Sequence, residues 1–180
     1  AGKGLPAALL MSTVQATRRA LVSRVTGRGE LLATANDLLH TASPGNRFVT
    51  AVLVNYDPAT GAGTYASAGH NEAVLLRSDG SVELLPSTGL VLGLFAGATA
   101  DERAFAVGPG ELLACYSAGV SEAQNGQGHE FTRDRLVEVL RREAREPAET
   151  VVARVIEAVD RFAAGAPQYD DITMLVIKRR

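Results

Sequence analysis

The order in which helical and extended segments follow one another constrains the fold of this 180-residue chain more than any single motif. Apolar residues recur at helical spacing over residues 5–25 and again over residues 30–42, before Pro44 and Gly45. Residues 47–116 have the pattern of short strands, and two helices and a last strand follow them. Helices separated in this way from a block of strands predict an α+β fold with antiparallel sheets rather than parallel βαβ units.

Turn-forming residues place the predicted strands. Two pairs of strands are joined by the turns 57–61 (DPATG) and 78–81 (SDGS), whose composition is typical of hairpins. The predicted strands cover residues 48–56, 64–68, 73–77, 82–85, 103–107, 112–116 and 172–177, and the two late helices cover residues 132–145 and 147–164.

Composition excludes several classes of function. The chain has a net charge of −2 and no Trp, so it lacks the basic surface and the stacking residues that nucleic-acid binding uses. Its longest apolar run, near residues 49–54, is far shorter than the roughly 20 residues that cross a bilayer. We therefore expect no nucleic-acid partner, no membrane segment and a cytoplasmic location.

The start of the chain falls inside a motif. Residues 1–4 read AGKG, without an initiating Met and without a signal peptide. We expect residues 1–180 to be a single domain that lacks its first strands and forms the C-terminal part of a longer protein. Gly2-Lys3-Gly4 before a helix could bind an anion. A phosphate-binding loop, however, has the pattern Gly-x-x-x-x-Gly-Lys-Ser/Thr, and here Gly4 follows Lys3. A flexible turn is therefore the other interpretation.

Few residues are candidates for catalysis. His70 could be a base or a ligand, or a turn residue satisfied by backbone groups, while His40 and His129 have no metal-ligand spacing. No Ser lies in a nucleophile-elbow context, and the apolar neighbours of Cys115 indicate a buried structural thiol. The residues therefore offer no candidate for covalent catalysis.

Asp170 and Asp171 are the strongest candidates for a functional site, because they directly precede the apolar strand predicted over residues 172–177. Successive strand side chains face opposite sides, so we expect at most one of the two carboxylates to point into a given site. A solvated acidic turn is the alternative interpretation. A hard divalent cation needs several oxygen ligands, so a metal site here requires partners from elsewhere in the chain.

Six short segments spread along the chain carry a family resemblance. They are Gly2-Lys3-Gly4-Leu5-Pro6-Ala7-Ala8-Leu9, Phe48-Val49-Thr50-Ala51, Ala68-Gly69-His70-Asn71, Gly108-Pro109-Gly110-Glu111, Ser117-Ala118-Gly119-Val120-Ser121-Glu122-Ala123 and Asp170-Asp171-Ile172-Thr173. In this order they resemble the metal-dependent protein phosphatase (PPM) family, in particular its bacterial SpoIIE-like branch, which regulates sigma factors and sporulation.

The resemblance implies a two-layer antiparallel β-sandwich flanked by helices, with a dinuclear Mn²⁺ or Mg²⁺ centre at one end. In such a phosphatase the metals activate a water that attacks phosphoserine or phosphothreonine directly, so neither a catalytic residue beyond the metal ligands nor an organic cofactor is expected. Asp170 matches the family's metal-binding Asp near the last strand, and Asp171 is its neighbour. Both are predicted metal ligands by this resemblance.

Two carboxylates of the family pattern are absent from this sequence. Ala118 stands where the family has Asp in its Thr/Ser-Asp-Gly-Val motif, and the Asp that precedes the Gly-Lys-Gly segment would fall before residue 1. Each such Asp supplies ligand oxygens and the negative charge that offsets repulsion between two cations. We therefore expect metal binding to be weak or incomplete.

Two functions of different classes follow from the resemblance. The first is a protein serine/threonine phosphatase whose substrate is a phosphoserine on a small regulatory protein, such as an anti-anti-sigma factor, with an upstream sensor domain. The second is a pseudophosphatase that binds a phosphoprotein without hydrolysis, which Ala118 favours. A nucleotide-binding domain built on Gly2-Lys3-Gly4 is a weaker third hypothesis.

Overall fold

The helices and strands follow the α+β order that the sequence predicts. The computed structural model describes residues 11–12, 14–17, 19–20, 27–42, 47–168 and 170–179. Contacts within the chain divide into two units, one of Ala1–His70 with Ser87–Phe105 and one of Asn71–Pro86 with Ala106–Arg180. Each unit contains one antiparallel sheet and helical segments, so the predicted fold class is confirmed.

The sheet of the first unit has the strand order β1-β2-β5. β1 (Ala51–Tyr56) and β2 (Ala62–Ala68) pair antiparallel, and β5 (Arg103–Ala106) lies on the other side of β2. Helix α1 (Arg28–Ala42) contributes its apolar residues to the core of this unit. That core contains Leu32, Ala35, Leu39, Val49, Ala66, Ala68, Leu92 and Ala100.

Asp57 organises the predicted hairpin turn between β1 and β2. Its carboxylate accepts hydrogen bonds from the N–H of Ala59 (2.9 Å) and the hydroxyl of Thr60 (2.8 Å). Gly61 closes the turn with a φ of 77°, a conformation that glycine adopts without steric cost. The composition of residues 57–61 was therefore a correct sign of a hairpin.

The sheet of the second unit has the strand order β4-β3-β6-β7, and all of its pairs are antiparallel. Its strands are β3 (Ala73–Leu76), β4 (Val82–Leu85), β6 (Leu112–Tyr116) and β7 (Met174–Lys178), and its helices are α2 (Ala118–Ser121), α3 (Thr132–Arg142) and α4 (Ala148–Ala163). The core is formed by buried residues of the strands and of α3 and α4, among them Val74, Leu112, Leu136, Leu140, Val151 and Val155.

Several element boundaries differ from the prediction by a few residues. α1 begins at Arg28 and includes Gly29, whereas the predicted helix begins at residue 30. A Cβ on residue 29 would lie 2.3 Å from the carbonyl oxygen of Ala100, so close packing explains this glycine. α3 ends at Arg142 rather than at residue 145, and β7 begins at Met174 rather than at residue 172.

The predicted helix over residues 5–25 is described only in part. Residues 11–12, 14–17 and 19–20 are helical, and the rest of that segment lies outside the described residues, as does Gly2-Lys3-Gly4. The short helix α2 was not predicted. Among the residues that are described, no helix combines the length and the apolar character that crossing a membrane requires.

Candidate functional site

The ends of two neighbouring strands bring together the segment that contains Ala118 and the segment that contains Asp170 and Asp171. Tyr116 at the end of β6 pairs with Met174 at the start of β7, so the segments that continue from these residues meet. One segment is residues 117–119, and the other is residues 170–173. We call these two segments together the strand-end site.

Ser117 links the two segments of the strand-end site. Its hydroxyl donates a hydrogen bond to the carbonyl oxygen of Asp171 (2.8 Å) and accepts one from the N–H of Thr173 (2.8 Å). The Ser117 N–H donates to the carbonyl oxygen of Thr173 (2.9 Å). Ser117 precedes α2 but makes no side-chain capping bond there, because its hydroxyl is used across the site.

Gly119 makes the close approach of the two segments possible. A Cβ on this residue would lie 2.4 Å from the carbonyl oxygen of Asp171 and 2.9 Å from that of Asp170. Both atoms belong to the main chain and cannot rotate out of the way. The glycine of the Ser-Ala-Gly-Val segment is therefore required by packing against the residues that precede β7.

Asp170 and Asp171 are both exposed at this site. The N–H of Asp171 donates to Oδ1 of Asp170 (2.8 Å), and the side-chain amide of Gln168 donates to the carbonyl oxygen of Asp170 (2.9 Å). The structure thus brings Asp170, Asp171 and the Ala118 segment together, as the family resemblance implies. The role of the two carboxylates as metal ligands stays a prediction.

The side chains at this place fall short of a dinuclear metal site. Ala118 begins α2 and offers a methyl group where the family pattern has a carboxylate. Nowhere in the described part of the chain do three or more His, Cys, Asp or Glu side chains gather closely enough to hold a metal ion. The two carboxylates found here do not by themselves fit a pair of divalent cations, each of which needs several oxygen ligands.

Asn71 and Glu72 support the helices next to the site, a role that we did not predict. The side-chain amide of Asn71 donates to the hydroxyl of Ser121 in α2 (3.3 Å), and Glu72 pairs with Arg133 of α3 (2.6 Å). The only signal in the sequence was that Asn71 and Ser121 belong to two of the six resemblance segments.

The three histidines do not form a metal site among the described residues. Nδ1 of His70 lies 3.2 Å from the Thr50 hydroxyl, which links two of the resemblance segments within the first unit. Nδ1 of His40 lies 3.1 Å from the carbonyl oxygen of Gly93, and His129 is exposed. His70 therefore has at least one side-chain partner, and whether it acts as a base or as a ligand stays untested.

Two other sequence features have structural roles. Cys115 is buried in β6, and burial raises the pKa of its thiol to about 11, as a structural cysteine requires. Glu111 of the Gly-Pro-Gly-Glu segment accepts hydrogen bonds from the N–H of Gly108 (2.7 Å) and from Arg77 (2.8 Å). Burial favours a higher pKa for the Glu111 carboxyl, but these two donors outweigh it and hold the pKa below its usual value.

Two known proteins are similar in sequence to most of this chain. The chain is 32% identical to protein IcfG of Synechocystis sp. (strain ATCC 27184 / PCC 6803 / Kazusa) over 133 residues, which are 73% of this chain and 21% of that protein. It is 25% identical to the phosphoserine phosphatase RsbU of Bacillus subtilis (strain 168) over 180 residues, which are 99% of this chain and 53% of RsbU. The chain thus spans about half or less of the length of these relatives.

Fold and family comparisons agree with the sequence resemblance. The SiaA-PP2C domain of Pseudomonas aeruginosa matches all of this chain and 73% of its own length with a TM-score of 0.83 and 24% identity. The profile of the family Stage II sporulation protein E (SpoIIE) matches residues 1–180. The chain therefore belongs to the SpoIIE family, a family of PPM-type, metal-dependent serine/threonine phosphatases.

Proposed function

We propose that this chain is a phosphatase domain that removes phosphate from a phosphoserine of a regulatory protein. The observation that carries the proposal is the strand-end site, where Ser117 and Gly119 hold the Ala118 segment against Asp170 and Asp171. Support also comes from RsbU, a phosphoserine phosphatase that aligns with 99% of the chain. The substrate class that follows is a phosphorylated regulator such as an anti-anti-sigma factor.

We further propose that residues 1–180 act as one domain of a longer cytoplasmic protein with an upstream sensor domain. The support is that the chain spans only 53% of RsbU and 21% of IcfG. Within such a protein, the phosphatase domain would couple a sensed signal to the phosphorylation state of its partner.

Asp170 and Asp171 are our proposed metal ligands for Mn²⁺ or Mg²⁺. Both are exposed at the strand-end site, where a cation could reach them from solvent. Ala118 supplies no oxygen beside them, so we expect the chain to hold metal weakly. The rate of hydrolysis should therefore be limited by the missing metal ligands rather than by the folding of the domain.

A pseudophosphatase is the second candidate function, and one observation favours it. Ala118 occupies the position of a family carboxylate, and the described residues contain no group of three metal-binding side chains. A protein of this kind would keep the fold in order to bind a phosphoprotein without hydrolysing it.

The replacement Ala118→Asp in the full-length protein tests the first proposal against the second. We expect it to raise Mn²⁺-dependent hydrolysis of a phosphoserine peptide by at least about a hundredfold. The new carboxylate supplies ligand oxygens for the metal, and each 1.4 kcal/mol of transition-state stabilisation that the metal then provides is tenfold in rate. The measurement is the initial rate of phosphate release with Mn²⁺ and with chelator.

Matched variants control this experiment. Ala118→Asn has nearly the size of Asp without its charge and should give much less of the gain, while adding Asp170→Ala to Ala118→Asp should return the rate to background. Circular dichroism establishes that each variant is folded. Equal rates with Mn²⁺ and with chelator in the Ala118→Asp protein would favour the pseudophosphatase.

A further inference from the structure

A cavity of about 300 Å³ lies beside the strand-end site within the second unit. The last turn of α4 and the loop after it form one wall, and Gly119, Ala123 and Ile172 contribute to the other. This volume is at the lower end of the range for small-molecule sites. The cavity can therefore take one long side chain more readily than a cofactor.

The lining of this cavity combines an apolar surface with one negative charge. Ala123, Val159 and Ile172 provide the apolar part, and Asp160 provides the only charged side chain among the described lining residues. The carboxyl end of the 16-residue helix α4 adds the negative end of a helix dipole. Such a lining fits an occupant with a long aliphatic stem and a positive end.

Asp160 is available for a positive partner. Its side chain is exposed, and none of the ion pairs within the described residues includes it. Its neighbour on the preceding turn, Glu157, is different because Arg154 already pairs with it at 2.7 Å. Asp160 and Glu157, one turn apart on α4, can therefore be compared directly.

The cavity is continuous with the strand-end site. Gly119 lines the cavity and also packs against the main chain of Asp170 and Asp171. Gln168 lines the cavity as well, and its side-chain amide donates to the carbonyl oxygen of Asp170. A group bound in the cavity would therefore lie within a few residues of a phosphoserine held at the strand-end site.

We propose that this cavity binds a Lys or Arg side chain of the phosphoprotein substrate, close in sequence to the phosphoserine. The inference rests on the proposed function, which it extends to substrate selection. The methylene groups of the basic side chain contact the apolar lining, as long cationic side chains do on apolar surfaces, and the charged end faces Asp160.

Peptide binding to the full-length protein tests the proposal without turnover. The probes are fluorescent peptides with a non-hydrolysable phosphonate analogue of phosphoserine and with Arg, norleucine or Glu placed in turn at each of the three positions on either side. In the presence of Mn²⁺, we expect one position at which Arg binds about twofold to fivefold tighter than norleucine, the range of a solvent-accessible ion pair. Glu at that position should bind more weakly than norleucine.

Variants of α4 identify the cavity as the source of the preference. Asp160→Asn should abolish the advantage of Arg over norleucine, while Glu157→Gln, the matched removal of a charge one turn earlier, should leave it unchanged. Ala163→Leu should fill the cavity, so that the Arg and norleucine peptides both bind more weakly and the difference between them disappears. Thermal unfolding of each variant checks that it is folded.

The outcomes separate this inference from the proposed function. An Arg preference that survives Asp160→Asn and Ala163→Leu, or the absence of any preference, overturns the cavity assignment even if phosphonate peptides bind. Equal binding of peptides with and without the phosphonate overturns the proposed function instead, and the Arg preference is then judged by the α4 variants alone.

Discussion

Two irregular segments of this protein are each held by one polar side chain, and they differ in the surroundings of that side chain. In the first unit, Asn36 of α1 accepts the N–H of Gly93 at 2.9 Å and donates to the carbonyl oxygen of Phe95 at 3.0 Å. In the second unit, the Ser117 hydroxyl likewise both donates, to the carbonyl oxygen of Asp171, and accepts, from the N–H of Thr173.

The difference between the two segments lies in their surroundings. Asn36 is fully buried, so its hydrogen bonds replace those that water would make and its loss would leave the buried N–H of Gly93 unpaired. Ser117 is half-buried beside two exposed carboxylates, and there the main chain of Asp171 leaves no room for a side chain on Gly119. The buried Asn36 therefore acts through its hydrogen bonds, whereas the strand-end site depends on close main-chain packing that fixes the geometry of groups open to solvent.

Gly119→Ala should give the largest effect on stability, because its Cβ would meet a main-chain carbonyl that cannot move aside. We expect the free energy of unfolding to fall by about 3 kcal/mol, the upper part of the range for overpacking. That corresponds to a fall in Tm of about 6–12 °C, which calorimetry would measure.

Gly126→Ala is the control for this prediction, since nothing lies within 4 Å of the Cβ that it would add. It should change the free energy of unfolding by less than about 0.5 kcal/mol. If the two alanine variants were equally stable, packing at Gly119 would not be what holds the strand-end site together.

Asn36→Ala should give the next largest effect. Removing the amide leaves the buried N–H of Gly93 and the carbonyl oxygen of Phe95 without their side-chain partner, at an expected cost of about 2 kcal/mol in the free energy of unfolding. Urea titration measures the change. Thr34→Ala, on the same helix, loses only a local bond to Glu30 and should cost less than about 0.5 kcal/mol; similar costs for both would contradict the role assigned to Asn36.

Ser67→Ala should give the smallest effect, with the opposite sign. The Ser67 hydroxyl in β2 is buried and has no hydrogen-bond partner within the described structure, so its removal should stabilise the protein by about 0.5–1 kcal/mol. Ser87→Ala is the matched comparison, because that hydroxyl accepts the N–H of Gly69 at 2.7 Å. It should lower the Tm, and a stabilising result there would show that satisfied and unsatisfied hydroxyls do not differ as we argue.

Hairpins and late helices were predictable because their signals are local. β4 (Val82–Leu85) and β6 (Leu112–Tyr116) have the predicted limits, and the Asp57 turn forms as its composition indicates. The strands on either side of Gly108–Gly110 were also located, but not that β5 and β6 enter different sheets. Strand partners depend on contacts between distant residues, which a local pattern does not contain.

The candidate site was predictable only in its residue types. The sequence marked Asp170, Asp171 and the loss of an Asp at Ala118, and the family match supports the context in which they were interpreted. The contribution of Ser117, the support from Asn71 and the cavity at Asp160 were not foreseen. Each of these depends on a side chain whose partner lies 50 or more residues away or on a space between elements.

The sequence by itself determined the family, the α+β class and the absence of a carboxylate at residue 118, because motif order, turn chemistry and residue identity are all local properties. Only the tertiary structure decided that Ser117 bonds across to Asp171 and Thr173, that Gly119 must lack a side chain, and that a cavity opens beside them. The physical reason is that hydrogen-bond partners and packing space are set when β6 and β7 pair, which joins residues nearly 60 positions apart.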